Sequence, residues 1–225
     1  MLGVDIGEGY VVGLSLHLAS GIAVIPLLYH RVLHVARHTL ELDIDEYTKG
    51  YLLALALSIA TGLPLYTYYK EVSEAYGSYA LLIIAIGLLV TTAFLARASG
   101  RGVKKSINLI DWIITGFLQG LAVLPGFSRS GLTIGYLCIR GYEPGEAVEA
   151  SLLLAIPVLI ASGAYNLVHV TVDPWIAMAT QIIVLCISIV SARILIGLAH
   201  RVRAYLFTLI LALATIAGLL LVVVD

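Results

Sequence analysis

Residues 125–133 read Pro-Gly-Phe-Ser-Arg-Ser-Gly-Leu-Thr, and they gather the hydroxyls of Ser128, Ser130 and Thr133 around one fixed cation, Arg129. Pro125 removes a backbone donor, and Gly126 and Gly131 permit conformations that end helices, so the stretch frees N–H groups from helical pairing. The guanidinium of Arg129 is a planar fork suited to phosphate oxygens. A helix starting near Gly131 would aim its N-terminal dipole at the same spot. Together these groups form an anion cradle, with phosphate the best-matched anion. A plainer reading has Arg129 capping a turn through carbonyls while the serines satisfy the backbone; three hydroxyls and two glycines in so short a stretch favour the cradle. Gln119, about one and a half turns upstream, is either a cavity-facing polar group or one end of an interhelical hydrogen bond.

The elements that must position this cradle are set by composition. The chain of 225 residues is 60% hydrophobic and 12% charged, with mean hydropathy +1.02, whereas soluble domains carry about a quarter charged residues. An all-α polytopic membrane protein follows. A net charge of −1 gives no basic face for neutralising nucleic-acid phosphates, so no nucleic-acid partner is expected. Cys138 and Cys186 lie in apolar runs without metal-ligand spacing and read as packing residues.

Six stretches are long and apolar enough to span a bilayer, at 10–29, 50–69, 78–96, 150–170, 175–197 and 204–224. The stretch 109–140, broken at its centre by the Pro-Gly-Phe-Ser-Arg-Ser-Gly run, reads as a re-entrant helical hairpin that enters and leaves on one side. With that topology Arg31, Arg37, Lys49, Arg97, Arg101, Lys104, Lys105, Arg140, Arg201 and Arg203, plus Arg193 near a helix end, collect on one side and Lys70 on the other. The loops at 30–49 and 97–108 are therefore expected in the cytoplasm, and both termini outside.

A weak internal repeat aligns Ser15-Leu-His-Leu-Ala19 with Ser151-Leu-Leu-Leu-Ala155. Each copy lies in a span that two more follow, so there are three spans per copy, an odd number, and the second copy is inverted. The expected division is a first repeat over 1–108, with three spans and no hairpin, and a second over 109–225, with the hairpin and three spans. Inverted repeats place polar sites near the midplane, where broken helices line a cavity.

The run from Gln119 through Pro125-Gly-Phe-Ser-Arg-Ser-Gly-Leu-Thr133, followed by Ser151 to Pro157, closely resembles a conserved block of the undecaprenyl-diphosphate phosphatases, also called bacitracin-resistance proteins. Leu16-His-Leu-Ala-Ser20 and Ala23-Val24 are similar to the segment after that family's first re-entrant block. The resemblance implies a cell-membrane hydrolase that removes the terminal phosphate of a polyprenyl diphosphate and regenerates the monophosphate carrier for envelope glycan synthesis. It implies catalytic roles for Ser128, Arg129, Ser130 and Thr133 and a divalent cation, Mg²⁺ or Ca²⁺; the candidate substrate contacts are Gly126, Gly131, Gln119 and His17. The partners it implies are the lipid and the membrane, with a second copy of the chain as a further candidate. The family's glutamate-rich first block has no counterpart here, and the expectation is a start placed roughly 40 residues too late, judged from the size of a helix pair, or a degenerate member. The cation's ligands are accordingly unassigned.

Attack by a serine and attack by an activated water both fit these residues. A rival class is a carrier that moves a polyprenyl phosphate intact, since inverted repeats with broken helices are carrier architecture. His17 is a satisfied interhelical donor or a general acid. Asp111 is expected to cap the first hairpin arm, and His30, Arg31, His34, Arg37 and His38 to anchor the first span at the cytoplasmic surface. Glu143, Glu146 and Glu149 suit the start of the fourth span.

Overall fold

Long apolar runs flanked by capping residues fold as helices, and the computed structural model describes residues 6–75, 77–98, 102–198, 208–216 and 218 in those terms. Among the described residues the regular elements are α1 (Ile6–Ser15), α2 (His17–Val24), α3 (Tyr29–Leu40), α4 (Glu46–Ala75), α5 (Gly77–Arg97), α6 (Leu109–Leu121), α7 (Arg129–Ile139), α8 (Pro144–Leu167) and α9 (Pro174–Leu198). Helix starts follow local chemistry. The Asp45 carboxylate accepts from the Thr48 N–H at 2.9 Å ahead of α4, and Asp173 accepts from the Trp175 N–H at 2.8 Å ahead of α9. Pro144 and Pro174 occupy first helical positions, where their missing N–H removes nothing.

Glu46–Tyr69, Pro144–Leu167 and Pro174–Ile194 are long and apolar enough to cross a membrane. The expected first span at 10–29 departs from a straight helix. It divides into α1 and α2 around a turn at Leu16, and the run Val11–Val24 meets α3 at a 92° bend across Pro26. The charged loop expected at 30–49 holds the twelve-residue helix α3, whose dense His and Arg content hides its periodicity from a hydropathy reading. Of the expected last span, residues 208–216 are helical, and the remainder of 204–224, apart from residue 218, lies outside the described residues.

The chain forms two compact units, residues 1–37 with 152–197, and residues 38–151 with 198–225. Each unit draws on both expected repeats. In the first, α2 and α8 pack at glycine: a Cβ on Gly163 would lie 2.0 Å from the Leu18 nitrogen, and one on Gly21 would lie 2.9 Å from Ile160. The Ser20 and Ser188 hydroxyls are 3.2 Å apart, and Gln181 Nε2 donates to the Ser15 carbonyl at 3.0 Å.

In the second unit α4 carries Gly50, Ala54 and Ser58 at four-residue spacing, opposite Trp112, Gly116 and Gly120 on α6. A Cβ on Gly116 would sit 2.2 Å from the Ala54 carbonyl oxygen, and one on Gly50 would sit 2.3 Å from the Trp112 ring. Two helices meet there backbone to backbone, the close approach that small residues permit where lipid supplies no hydrophobic drive. The Thr92 hydroxyl donates to Thr208 Oγ1 at 2.9 Å, tying α5 to the 208–216 helix.

Candidate functional site: a phosphate cradle at the tip of a helical hairpin

α6 and α7 are both too short to cross a bilayer. Thirteen and eleven residues span about 20 and 16 Å at 1.5 Å per residue, against roughly 30 Å of hydrocarbon. They form a hairpin whose base is bolted by Asp111. The carboxylate of Asp111 is fully buried. Its Oδ1 accepts from the Tyr136 hydroxyl at 2.5 Å and from Arg140 Nε at 2.9 Å, and its Oδ2 accepts from the Tyr142 hydroxyl at 2.8 Å. The start of α6 is thereby held to the end of α7 and the loop beyond it. The expected cap role of Asp111 is corrected: Asn108 is the cap, its Oδ1 accepting from the Asp111 N–H at 2.8 Å. Asp111 was free to turn inward because a residue three positions earlier already met the helix's orphan donor.

Below the bolt, the loops at 102–108 and 140–143 run together. The Gly141 carbonyl accepts from the N–H groups of Val103 and Lys104 at 3.1 Å each, and the Lys104 carbonyl accepts from the Glu143 N–H at 2.9 Å. The Lys104 ammonium adds a bond to the Arg140 carbonyl at 2.9 Å.

At the tip, residues 122–128 leave the helical path. Gly126 has φ +87°, a left-handed conformation that favours glycine, and a Cβ there would strike the Ile84 carbonyl of α5 at 2.3 Å. Ser128 is the N-cap of α7, with φ −74° and ψ 114°, and its Oγ accepts from the Gly131 N–H at 3.1 Å. The Ser128 N–H itself donates to Thr91 Oγ1 on α5 at 3.1 Å. Arg129 and Ser130 then occupy the first two helical positions, partly buried. Among the described residues no hydrogen bond takes the N–H of either, and no carboxylate pairs with the Arg129 guanidinium. A helix mouth with two open donors, its positive dipole end and an unneutralised cation is an electrostatic sink for an anion.

Thr133 is fully buried one turn further on, donating to the Arg129 carbonyl at 2.9 Å and sharing a hydrogen bond with Ser151 Oγ at 2.7 Å. Gln119 takes the interhelical course, its Nε2 donating to Ser58 Oγ of α4 at 3.2 Å in a buried pair. Gly131 lies against α5, where a Cβ would meet the Thr91 methyl at 2.5 Å. Six of the residues read from sequence as binding or catalytic, Gly126, Ser128, Arg129, Ser130, Gly131 and Thr133, thus share one tip. Gln119 stands on the preceding arm, while His17 opens α2, which belongs to the first unit.

The family profile described as "Bacitracin resistance protein BacA" matches residues 2–219. The chain belongs to the BacA family. Relatives of this BacA chain include the "Undecaprenyl-diphosphatase" of Haloarcula marismortui, 32% identical over 92% of this chain and 82% of the relative. The protein of the same name from Pyrobaculum aerophilum is 32% identical over 93% and 82%, and that from Korarchaeum cryptofilum is 29% identical over 85% and 77%. Three supports of the BacA tip escaped sequence reasoning: Thr91, Ser58 and Ser151. Each is a hydroxyl in an apolar helix, and no signal in one sequence separates such a residue from one that bonds its own backbone, as Thr92 beside Thr91 does.

Proposed function

We propose that this chain is a cell-membrane polyprenyl-diphosphate phosphatase, releasing the terminal phosphate of an undecaprenyl-type lipid diphosphate and returning the lipid monophosphate for envelope glycan synthesis. The observation that carries the reading is Arg129: a partly buried guanidinium at the first position of α7, unpaired by carboxylate among the described residues, beside the open N–H groups of Arg129 and Ser130. The names of the relatives supply the substrate class.

In this reading the terminal phosphate sits at the mouth of α7. The Arg129 fork, the Ser130 hydroxyl and the two backbone donors meet the charge that builds on its oxygens as the bond to the inner phosphate lengthens. Ser128 caps the helix and Thr133 braces its second turn. Water supplies the new P–O bond, directly or after transfer to the Ser130 hydroxyl, and the lipid monophosphate departs with the bridging oxygen. A divalent cation is part of the proposal, but the tip does not fit one. Residues 122–133 contain no Asp, Glu, His or Cys, and their hydroxyl and N–H donors suit an anion. A cation would therefore draw its ligands from elsewhere, and no step is assigned to it.

The topology proposed around this site has six spans, with α6 and α7 as a hairpin that re-enters from the cytoplasmic side, and both termini outside. The short arms and the excess of Lys and Arg on one side support it.

The test is phosphate release from a polyprenyl diphosphate in detergent, with Mg²⁺ and with chelator, for the native chain, Arg129→Ala and Arg129→Lys. The expected loss for Arg129→Ala is on the order of 10²–10³ in kcat, as for removal of a principal transition-state donor. Arg129→Lys, which keeps the charge and loses the fork, should recover only part of it. Equal rates for the native chain and Arg129→Ala would sink the proposal.

A further inference from the structure

Thr91 lies on α5, far in sequence from the hairpin, and is fully buried. Both branches of its side chain touch the first turn of α7. The hydroxyl oxygen takes the N–H of the cap residue Ser128 at 3.1 Å, and the methyl lies where a Cβ on Gly131 would meet it at 2.5 Å. The contact belongs to a row along one face of α5. Ile84 abuts Gly126, Gly87 abuts Phe127, Thr91 abuts Gly131 and Phe94 abuts Gly135, at steps of three or four residues. In this row Thr91 is the residue whose side chain hydrogen-bonds the turn.

The bond decides which donors remain at the helix mouth. Ser128 is engaged twice, its N–H by Thr91 and its Oγ by the Gly131 N–H. The donors left open are the N–H groups of Arg129 and Ser130 with their side chains. They follow the cap residue directly in the chain, so the bond that holds Ser128 also fixes where they start.

We infer that Thr91 is a positioning residue for the phosphate cradle, aligning the Arg129–Ser130 donors through the Ser128 N–H and seating α7 through its methyl on Gly131. The inference rests on the phosphatase reading for its kinetic consequence, and on the contact alone for its structural one. Thr uses two features that its near-isosteres separate: Val keeps the methyl and loses the acceptor, and Ser keeps the acceptor and loses the methyl. The neighbouring Thr92 is a matched control, since its hydroxyl bonds the Leu88 carbonyl and Thr208 and not the hairpin.

The experiment uses the full chain in detergent and compares Thr91→Val, Thr91→Ser and Thr92→Val with the parent. Two readouts are taken, amide hydrogen exchange over residues 125–132 and the kinetics of phosphate release. For Thr91→Val, exchange at the Ser128 amide should quicken by about tenfold or more, because a protecting bond is gone. Its kcat should fall by about tenfold or more with KM changed less than about threefold, the pattern of a contact that matters in the transition state. Thr91→Ser should keep the protection and return kcat to within about threefold of the parent, and Thr92→Val should change neither readout at the tip. Unchanged exchange at Ser128 in Thr91→Val, or a kcat loss equalled by Thr92→Val, would overturn the inference. If Thr91→Val does not fold, Thr91→Ala against Thr91→Ser decides by the same readouts, and identical behaviour of the two overturns it. A parent chain that releases no phosphate would defeat the phosphatase reading, while the exchange comparison still decides the role of Thr91.

Discussion

Replacing Asp111 with Ala removes the acceptor for three donors at once, and the size of the effect can be worked from their exposure. Arg140 is 48% exposed on its side chain, so its pairing is screened by solvent and is left out of the sum. The Tyr136 and Tyr142 hydroxyls bond a carboxylate in a site where Asp111 is 0% and Tyr142 1% exposed. Hydrogen bonds to a charged group contribute about 1.5–3 kcal/mol each. The sum is about 3–5 kcal/mol once relaxation of the partly exposed Tyr136 is allowed for, in the range seen when one partner of a buried pair is removed. For a chain of this length that corresponds to a fall in Tm of about 6–20 °C. Asp111→Asn keeps one acceptor oxygen for Tyr136 and Arg140 but presents an amide NH₂ to Tyr142, and should show about half the loss. The assay is thermal unfolding in detergent, followed by exposure of the buried Cys138 thiol to a reactive fluorophore in a Cys186→Ser background, since Cys186 is exposed. A Tm within about 2 °C of the native chain for Asp111→Ala would refute the view that this carboxylate bolts the hairpin base.

Two further outcomes follow from the packing. Gly116→Ala forces a Cβ to within 2.2 Å of the Ala54 carbonyl, backbone that cannot swing aside, and should destabilise the protein by about 1–3 kcal/mol in the same unfolding assay. Thr133→Val leaves the buried Ser151 hydroxyl without its partner, costing about 1–3 kcal/mol of stability; if Thr133 only braces α7, KM for the lipid diphosphate should stay within about threefold of native.

How far the sequence discloses the molecule depends on whether a feature is local. The interruption between α6 and α7 is local, because Pro125 and Gly126 stop a helix wherever they occur, and the hydroxyls around Arg129 could be grouped by counting along the chain. The long helices are equally legible: α9, at Pro174–Leu198, lies within a residue of its expected bounds at each end. The bend at Pro26 and the helix α3 were not, since hydropathy over a window averages a turn into the run that precedes it. Asp111 was misassigned because its position at a helix start fits a cap, and only the fold brings Tyr136, Tyr142 and Arg140 onto it. Gln119 illustrates the remaining difficulty: the same side chain suits a cavity or a neighbouring helix, and the choice lies with Ser58, which is 61 positions away.

The order of the helices along the chain has a bearing on biosynthesis. α4 and α5, against which the hairpin packs, end at residue 97, and the hairpin begins at residue 109. Chains fold from the N-terminus as they are made, so the Ala54 backbone and the Thr91 hydroxyl exist before the ribosome reaches Pro125. A polar turn entering hydrocarbon alone would carry unpaired N–H groups at several kcal/mol each. In the re-entrant topology proposed above, the turn emerges after its receptor and finds the Thr91 hydroxyl already in place to take the Ser128 N–H.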